Sequence, residues 1–226
     1  MQYFWLNKKN NNNLIVFFCG WSFDSKPFEI LDCDDNDVLV IFDYTTIEAF
    51  DIDLSEYKSK QLITWSMGVY VAYYLREYLP DFELKLAING TPFPVDNEYG
   101  IPQKTFDLTL KYVDSGLKGK FQQNLFKNYS DFELYLKNPV QRTIENRAME
   151  LIALDRFIKN HSFGYDNFYD CAMISASDKI IPTRNQIKCW EKLEIPSVIL
   201  DDGHFPFFRF KSWKEIIEKC NQILKK

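Results

Sequence analysis

Histidine is nearly absent: the 226 residues contain only two, His161 and His204. A mechanism that needs an imidazole therefore has two candidates. Cysteine offers no metal or redox framework in its place. The five present (Cys19, Cys33, Cys171, Cys189 and Cys220) are odd in number and scattered, without a C-x-x-C pair. They read as reduced, mostly buried thiols of a cytosolic protein, neither a disulfide framework nor a zinc site. Positive charge is not in excess. The net charge of -5 argues against a general nucleic-acid binder. No stretch is long and apolar enough to span a bilayer, and Met1-Gln2-Tyr3-Phe4-Trp5-Leu6 lacks the basic start and cleavage site of a signal peptide. The expectation is a cytoplasmic protein with no membrane or nucleic-acid partner, and no metal or organic cofactor is implied.

What is present is an ordinary globular composition, 46% hydrophobic and 26% charged, enough for one α/β domain with a full core and an insertion. Residues 2–6 and 14–19 are β-rich runs joined by the polar tract Asn10-Asn11-Asn12-Asn13, and the pattern predicts a hairpin. Leu14–Cys19 and Val38–Phe42 are apolar throughout, as strands buried on both faces should be. Gln61–Trp65, Leu84–Ile88, Cys171–Ala176 and Ser197–Leu200 extend the series. A short helix is expected at Pro27–Leu31, with longer ones at Met67–Leu79, Thr183–Leu193 and Ser212–Leu224. Alternating strands and helices favour a mostly parallel sheet. From Val95 to about Phe163 no strand is convincing. Phe106–Leu117, Lys120–Asn128, Ser130–Leu136 and Thr143–Asn160 read as helices, so a helical insertion interrupts the sheet. The expected division is 1–94 for the first part of the core, 95–165 for the insertion and 166–226 for the second part.

The most informative stretch is Leu62-Ile63-Thr64-Trp65-Ser66-Met67-Gly68-Val69. An apolar run ends at a serine, glycine follows two residues later, and a helical pattern begins at once. A nucleophile elbow reads this way, with serine on a strained strand-to-helix turn. Gly68 suits it, because a side chain there would strike the neighbouring strand. Thr64 stands where G-x-S-x-G has its first glycine, a departure that a small β-branched strand residue can accommodate. Alternatively Ser66 is an ordinary helix N-cap. The rest of the chain supplies partners. Asp178 lies just past one predicted strand and His204, after Gly203, just past the next. Ser66, Asp178 and His204 thus follow the order nucleophile, acid, base at the strand ends where open α/β sheets bind ligands. Asp178 could instead cap the helix near Pro182, and His204 could be a loop histidine with a structural partner. Asp201 and Asp202 are the fallback acids, and His161, on the insertion, is the competing base. Two backbone N–H groups are expected to form an oxyanion hole, those of Met67 and of Trp21 after Gly20; Ser22 could add a hydroxyl or simply cap a turn.

Phe18-Cys19-Gly20-Trp21, Phe42-Asp43-Tyr44, Trp65-Ser66-Met67-Gly68-Val69, Asn89-Gly90-Thr91-Pro92, Gly100-Ile101-Pro102 and Ser177-Asp178-Lys179-Ile180 together resemble the BioG-type pimeloyl-acyl-carrier-protein methyl ester esterases. The resemblance runs in order along nearly the whole chain. It implies an α/β-hydrolase fold, a mostly parallel sheet flanked by helices with an inserted helical lid. It further implies hydrolysis of the methyl ester on a carrier-bound pimeloyl chain in biotin synthesis. Ser66, Asp178 and His204 fall on the triad, and Trp21 and Trp65 on the acyl site. The partner implied is an acyl carrier protein, which is acidic. Gly116–Ser162 holds eight Lys or Arg against five acids. Arg142, Arg147, Arg156 and Lys159 form a patch for such a carrier if their helices present them on one side; otherwise they are a solvated helix face. An esterase or thioesterase for other small acyl esters, or a non-catalytic hydrolase-fold binding protein, are the alternatives.

Overall fold

Strands rich in Val, Ile, Leu and Phe line up as β1 (Gln2–Asn7), β2 (Asn13–Phe18), β3 (Asn36–Phe42), β4 (Ser59–Trp65), β5 (Leu84–Ile88), β6 (Cys171–Ser175) and β7 (Ser197–Leu200). The computed structural model describes residues 1–48, 52–161 and 167–225. The seven strands form one sheet in the order β1-β3-β2-β4-β5-β6-β7, parallel except for β1. Alternation along a strand sends successive side chains to opposite faces. Ile15 and Phe17 of β2 accordingly enter one core with Phe28, Trp65, Phe207 and Trp213. Leu14, Val16 and Phe18 enter another with Leu62, Tyr70 and Val71. Helix α1 (Met67–Tyr74) covers the second face, α7 (Thr183–Lys192) packs beside β6, and α8 (Trp213–Leu224) covers the first through Trp213, Ile216 and Cys220.

The hairpin expectation is corrected. β1 pairs antiparallel with β3, not with β2. The asparagine tract carries the chain across β3, and buried Asp37 at the start of β3 fixes the crossing. Its carboxylate accepts from Lys9 N–H, Asn10 N–H, the Asn11 side-chain amide and the Tyr57 hydroxyl. Four donors on one buried carboxylate hold the connection, and no local pattern announces them. The cysteine reading is corrected in part. Cys19, Cys33 and Cys189 are free thiols, but Cys171 of β6 and Cys220 of α8 form a disulfide across 49 residues. The packing of α8 on β6 brings the two together, which spacing alone does not reveal.

Between β5 and β6 lie helices α2 (Gln103–Lys111), α3 (Val113–Lys118), α4 (Phe121–Asn124), α5 (Tyr129–Lys137) and α6 (Ile144–Asn160). Side chains of Asn128 and Thr143 cap α5 and α6, each accepting an N–H three residues on. The expected end of the insertion at residue 165 lies outside the described residues. Among those described, no helix is long and apolar enough to cross a membrane.

Candidate active site

At the end of β4 the chain reverses through Ser66, whose φ of 57° and ψ of -123° are costly for a residue with a side chain. The turn is fixed on both sides: Ser66 N–H donates to Ile88 O at 3.0 Å, and Ser66 O accepts from Val69 N–H at 3.1 Å. A Cβ on Gly68 would stand 2.3 Å from Phe18 O and 2.5 Å from Cys19 O. Only glycine lets α1 start so close to β2. Thr64 completes the strand with its hydroxyl donating to Leu86 O at 3.0 Å, so the departure from the usual motif is satisfied inside the sheet.

His204 follows β7 in a loop that curls back over the elbow. Its Nε2 lies 2.8 Å from Ser66 Oγ and its Nδ1 2.8 Å from Asp178 Oδ2. A carboxylate only accepts, so Nδ1 carries the proton and Nε2 is left as the acceptor for the serine hydroxyl. All three residues are buried, with His204 only 2% exposed. Asp178 is held by four donors: Ile180 N–H and Ile181 N–H on Oδ1, Gln186 Nε2 and the imidazole on Oδ2. The His204 carbonyl accepts from Trp65 Nε1 at 2.8 Å and Asn89 Nδ2 at 2.9 Å. Asn89 also exchanges hydrogen bonds with Ser175, tying the ends of β5 and β6 to the histidine loop. The insertion presses on that loop as well. Phe205 N–H donates to Leu125 O at 2.9 Å, and a Cβ on Gly203 would lie 2.5 Å from Lys127 N.

The other acid and base candidates lie elsewhere. Asp201 is exposed and pairs with Lys127 at 2.6 Å, while Asp202 accepts from Gly203 N–H. Burial pushes the Asp202 carboxyl above the usual range. His161 ends α6 with Nδ1 2.9 Å from Phe157 O and its ring stacked on Phe157.

Ser66 and His204 open onto a cavity of about 190 Å³ whose apolar walls include Trp21, Trp65, Met67, Phe106, Phe121 and Leu151. Core and insertion both contribute walls. Thr105, Thr109, Asn124 and Lys179 bring the cavity's polar groups. Met67 is the first residue of α1, so its N–H has no partner within the helix. Trp21 follows Gly20, where a Cβ would meet Trp65 at 2.8 Å and Ser66 Cβ at 3.1 Å.

The basic patch is corrected. Arg142 and Arg147 point inward, not toward a partner. The Arg142 guanidinium, 7% exposed, pairs with Glu150 at 2.8 Å and Asp43 at 3.2 Å. Arg147 is 4% exposed and donates Nε to Ser22 Oγ at 2.7 Å. The buried acids Asp43 and Glu150 draw Arg142 in, and a charge count along the sequence cannot see that. Arg156 and Lys159 are exposed, and Lys159 pairs with Asp155 one turn back. Sequence reasoning also missed Gln186, Asn89 and Glu150. Asn89 lay inside a quoted motif, but its contacts join segments 86 and 115 residues away.

A mostly parallel sheet with this elbow and an inserted helical segment defines the α/β-hydrolase fold. Solved structures agree: an esterase from Exiguobacterium antarcticum has a TM-score of 0.61 at 14% identity, over 99% of this chain and 94% of that one. The chain belongs to the BioG family, pimeloyl-ACP methyl esterase BioG, whose family model matches residues 1–216. The crystal structure of BioG from Haemophilus influenzae has a TM-score of 0.86 and 28% identity, covering 95% of this chain and 98% of that one. A malonyl-[acyl-carrier protein] O-methyltransferase of Bacteroides fragilis is 34% identical over 183 residues. Those residues are 79% of this chain and only 36% of the Bacteroides protein, so this chain matches about a third of that relative.

Proposed function

We propose that the protein is a serine carboxyl-ester hydrolase that cleaves the methyl ester of pimeloyl-acyl-carrier protein through an acyl-enzyme on Ser66. The observation that carries the reading is the His204 ring, bridging Ser66 Oγ and Asp178 Oδ2 at 2.8 Å on either side. Ser66 Oγ attacks the ester carbonyl carbon while its proton passes to Nε2. Asp178 keeps the productive tautomer and stabilises the imidazolium. The oxyanion accepts from Met67 N–H and Trp21 N–H. Collapse expels methanol, which takes the proton from Nε2. Water, deprotonated by the same nitrogen, then cleaves the acyl-serine and leaves a free carboxylic acid.

The apolar cavity suits a methylene chain, Trp21 and Trp65 lining it at the reacting end. The family's description names the pimeloyl-ACP methyl ester, and the Bacteroides relative's name likewise includes an acyl carrier. Helices α2–α6 act as the lid. An acidic carrier would meet exposed bases near them, Arg156 and Lys159 among those available.

Fluorophosphonate should label wild-type protein at Ser66 and leave Ser66→Ala unlabelled. Ser66→Ala and His204→Ala should each lower kcat by about 10⁶-fold, because the members act as a unit, and Asp178→Asn by about 10⁴-fold through the wrong tautomer. His161→Ala should retain activity. Methanol release from the carrier-bound ester, and rescue of a biotin auxotroph lacking this step, test the substrate. Efficient hydrolysis of small esters with none of the carrier ester would leave a general esterase. Folded protein with no hydrolysis and no labelling would leave a binding protein.

A further inference from the structure

Glu150 is fully buried in the middle of α6, outside the triad, and its carboxylate bridges two loops at the ends of neighbouring strands. Oε2 accepts from Ser22 N–H at 2.9 Å in the loop after β2, and Oε1 from Tyr44 N–H at 2.9 Å in the loop after β3. Arg142 Nη1 completes the carboxylate at 2.8 Å and also donates to Phe23 O at 2.9 Å. Two further bonds join the same helix to the same loop. Trp21 Nε1 donates to Arg147 O at 2.8 Å, and Arg147 Nε donates to Ser22 Oγ at 2.7 Å. Residues 21, 22 and 23 are thus each tied to the insertion. Ser22 needs the restraint, since its φ of 77° is left-handed backbone for a residue with a side chain.

We propose that Glu150 is a positioning residue for the oxyanion hole, holding the Trp21–Ser22 backbone so that the Trp21 N–H is fixed beside Ser66. The proposal rests on the serine mechanism above. The Gly20–Trp21 peptide is bracketed between two supports. On one side Gly20 packs against Trp65 and Ser66, and on the other Glu150 grips Ser22 N–H. A carboxylate suits this role better than a neutral side chain, because both partners on its loops are donors and charge-assisted bonds are the stronger ones. Burial pushes the Glu150 carboxyl up, while Arg142 and the two N–H groups pull it back toward the ionised form. Helix α6 therefore completes the catalytic machinery from outside the sheet.

Glu150→Gln tests this, because it keeps the shape and turns one acceptor into a donor facing an N–H. Loss of one oxyanion donor costs about 10²–10³-fold in kcat. The expected result for p-nitrophenyl acetate is a kcat lowered by roughly 10²-fold with KM nearly unchanged. Affinity for a trifluoromethyl ketone that forms a tetrahedral adduct should fall in parallel, while an unreactive amide analogue binds as before. Should Glu150→Gln fail to fold, Glu150→Asp keeps the charge but shortens the reach, and should show the same split. A folded variant with wild-type kcat per active site overturns the proposal, as does an equal loss of both ligands. Ser66→Ala runs beside it. If Ser66→Ala is dead and Glu150→Gln is not, only the positioning role falls. If Ser66→Ala still turns over, the serine mechanism falls and takes this proposal with it.

Discussion

Replacing Gly68 by alanine adds one methyl group at the tightest point of the elbow. That Cβ would lie 2.3 Å from Phe18 O and 2.5 Å from Cys19 O, both main-chain atoms that cannot rotate away. A carbon-to-carbonyl contact settles at about 3.3–3.6 Å, so α1 and β2 must separate locally by about 1 Å. Overpacking of this kind costs about 1–3 kcal/mol. At about 2–4 °C per kcal/mol for a chain of this size, the melting temperature should fall by roughly 2–12 °C. The effect on rate should be larger. Ser66 is two residues away, and its 2.8 Å contact with His204 does not survive a 1 Å displacement. A misplacement of about 1 Å costs on the order of 10²-fold in rate. Thermal unfolding followed by circular dichroism and kcat/KM on p-nitrophenyl acetate measure the two effects. Gly116→Ala is the control. Gly116 lies in α3 with nothing within 4 Å of its added Cβ. There alanine should stabilise by up to about 1 kcal/mol through helix propensity and leave the rate alone. A Gly68→Ala protein with wild-type melting temperature and kcat/KM would refute the steric account of the elbow.

Arg142→Glu places a third carboxylate beside Asp43 and Glu150. It should cost about 3–5 kcal/mol, visible as a lowered urea midpoint, whereas exposed Arg156→Glu with Lys159→Glu should shift stability by at most about 0.5 kcal/mol each. If those two residues meet an acidic carrier, the double variant raises KM for the carrier ester alone and reduces its salt dependence; an unchanged KM returns them to a solvated helix face. Gln186→Leu removes one of four donors on Asp178, and should lower kcat roughly tenfold, since a hydrogen bond to a charged group is worth about 1.5–3 kcal/mol; an unaltered rate would show that the two backbone N–H groups suffice to hold the acid. Alkylation of denatured, unreduced protein should count three thiols, Cys19, Cys33 and Cys189, and five would refute the Cys171–Cys220 pair. In the native protein at pH 8, Cys33 should react about 100-fold more slowly than a free thiol, because burial, with Asp32 beside it, pushes the thiol up to about 11.

The parts of the molecule legible in the sequence are those fixed by contacts close along the chain or by strand-end logic. Ser66 and Gly68 mark the elbow because one turn of backbone must satisfy both. Asp178 and His204 meet because parallel strands deliver their loops to the same sheet edge, whatever the separation in sequence. Strand and helix existence followed from apolar runs and breakers, although Met67–Leu79 ends its α-helix at Tyr74 and tightens into a 3₁₀ turn over Arg76–Tyr78. The failures share one cause. Asp37, Arg142, Arg147, Glu150 and the cysteine pair act through partners that only the folded chain brings near. A buried Arg–Glu pair such as Arg142–Glu150 and a solvated one have the same composition, so charge counting cannot tell them apart.

The insertion touches the histidine loop through the backbone: Leu125 offers its carbonyl to Phe205 N–H, and Lys127 leaves no room for a side chain on Gly203. It therefore cannot be exchanged as a cassette to reshape the cavity. A replacement segment would have to return a carbonyl to the same point and keep clear of the same glycine, or His204 would lose its bearing before any new substrate arrived. Thr105, Thr109 and Asn124 line the cavity on the insertion yet take no part in those contacts, so they can vary without disturbing the histidine loop.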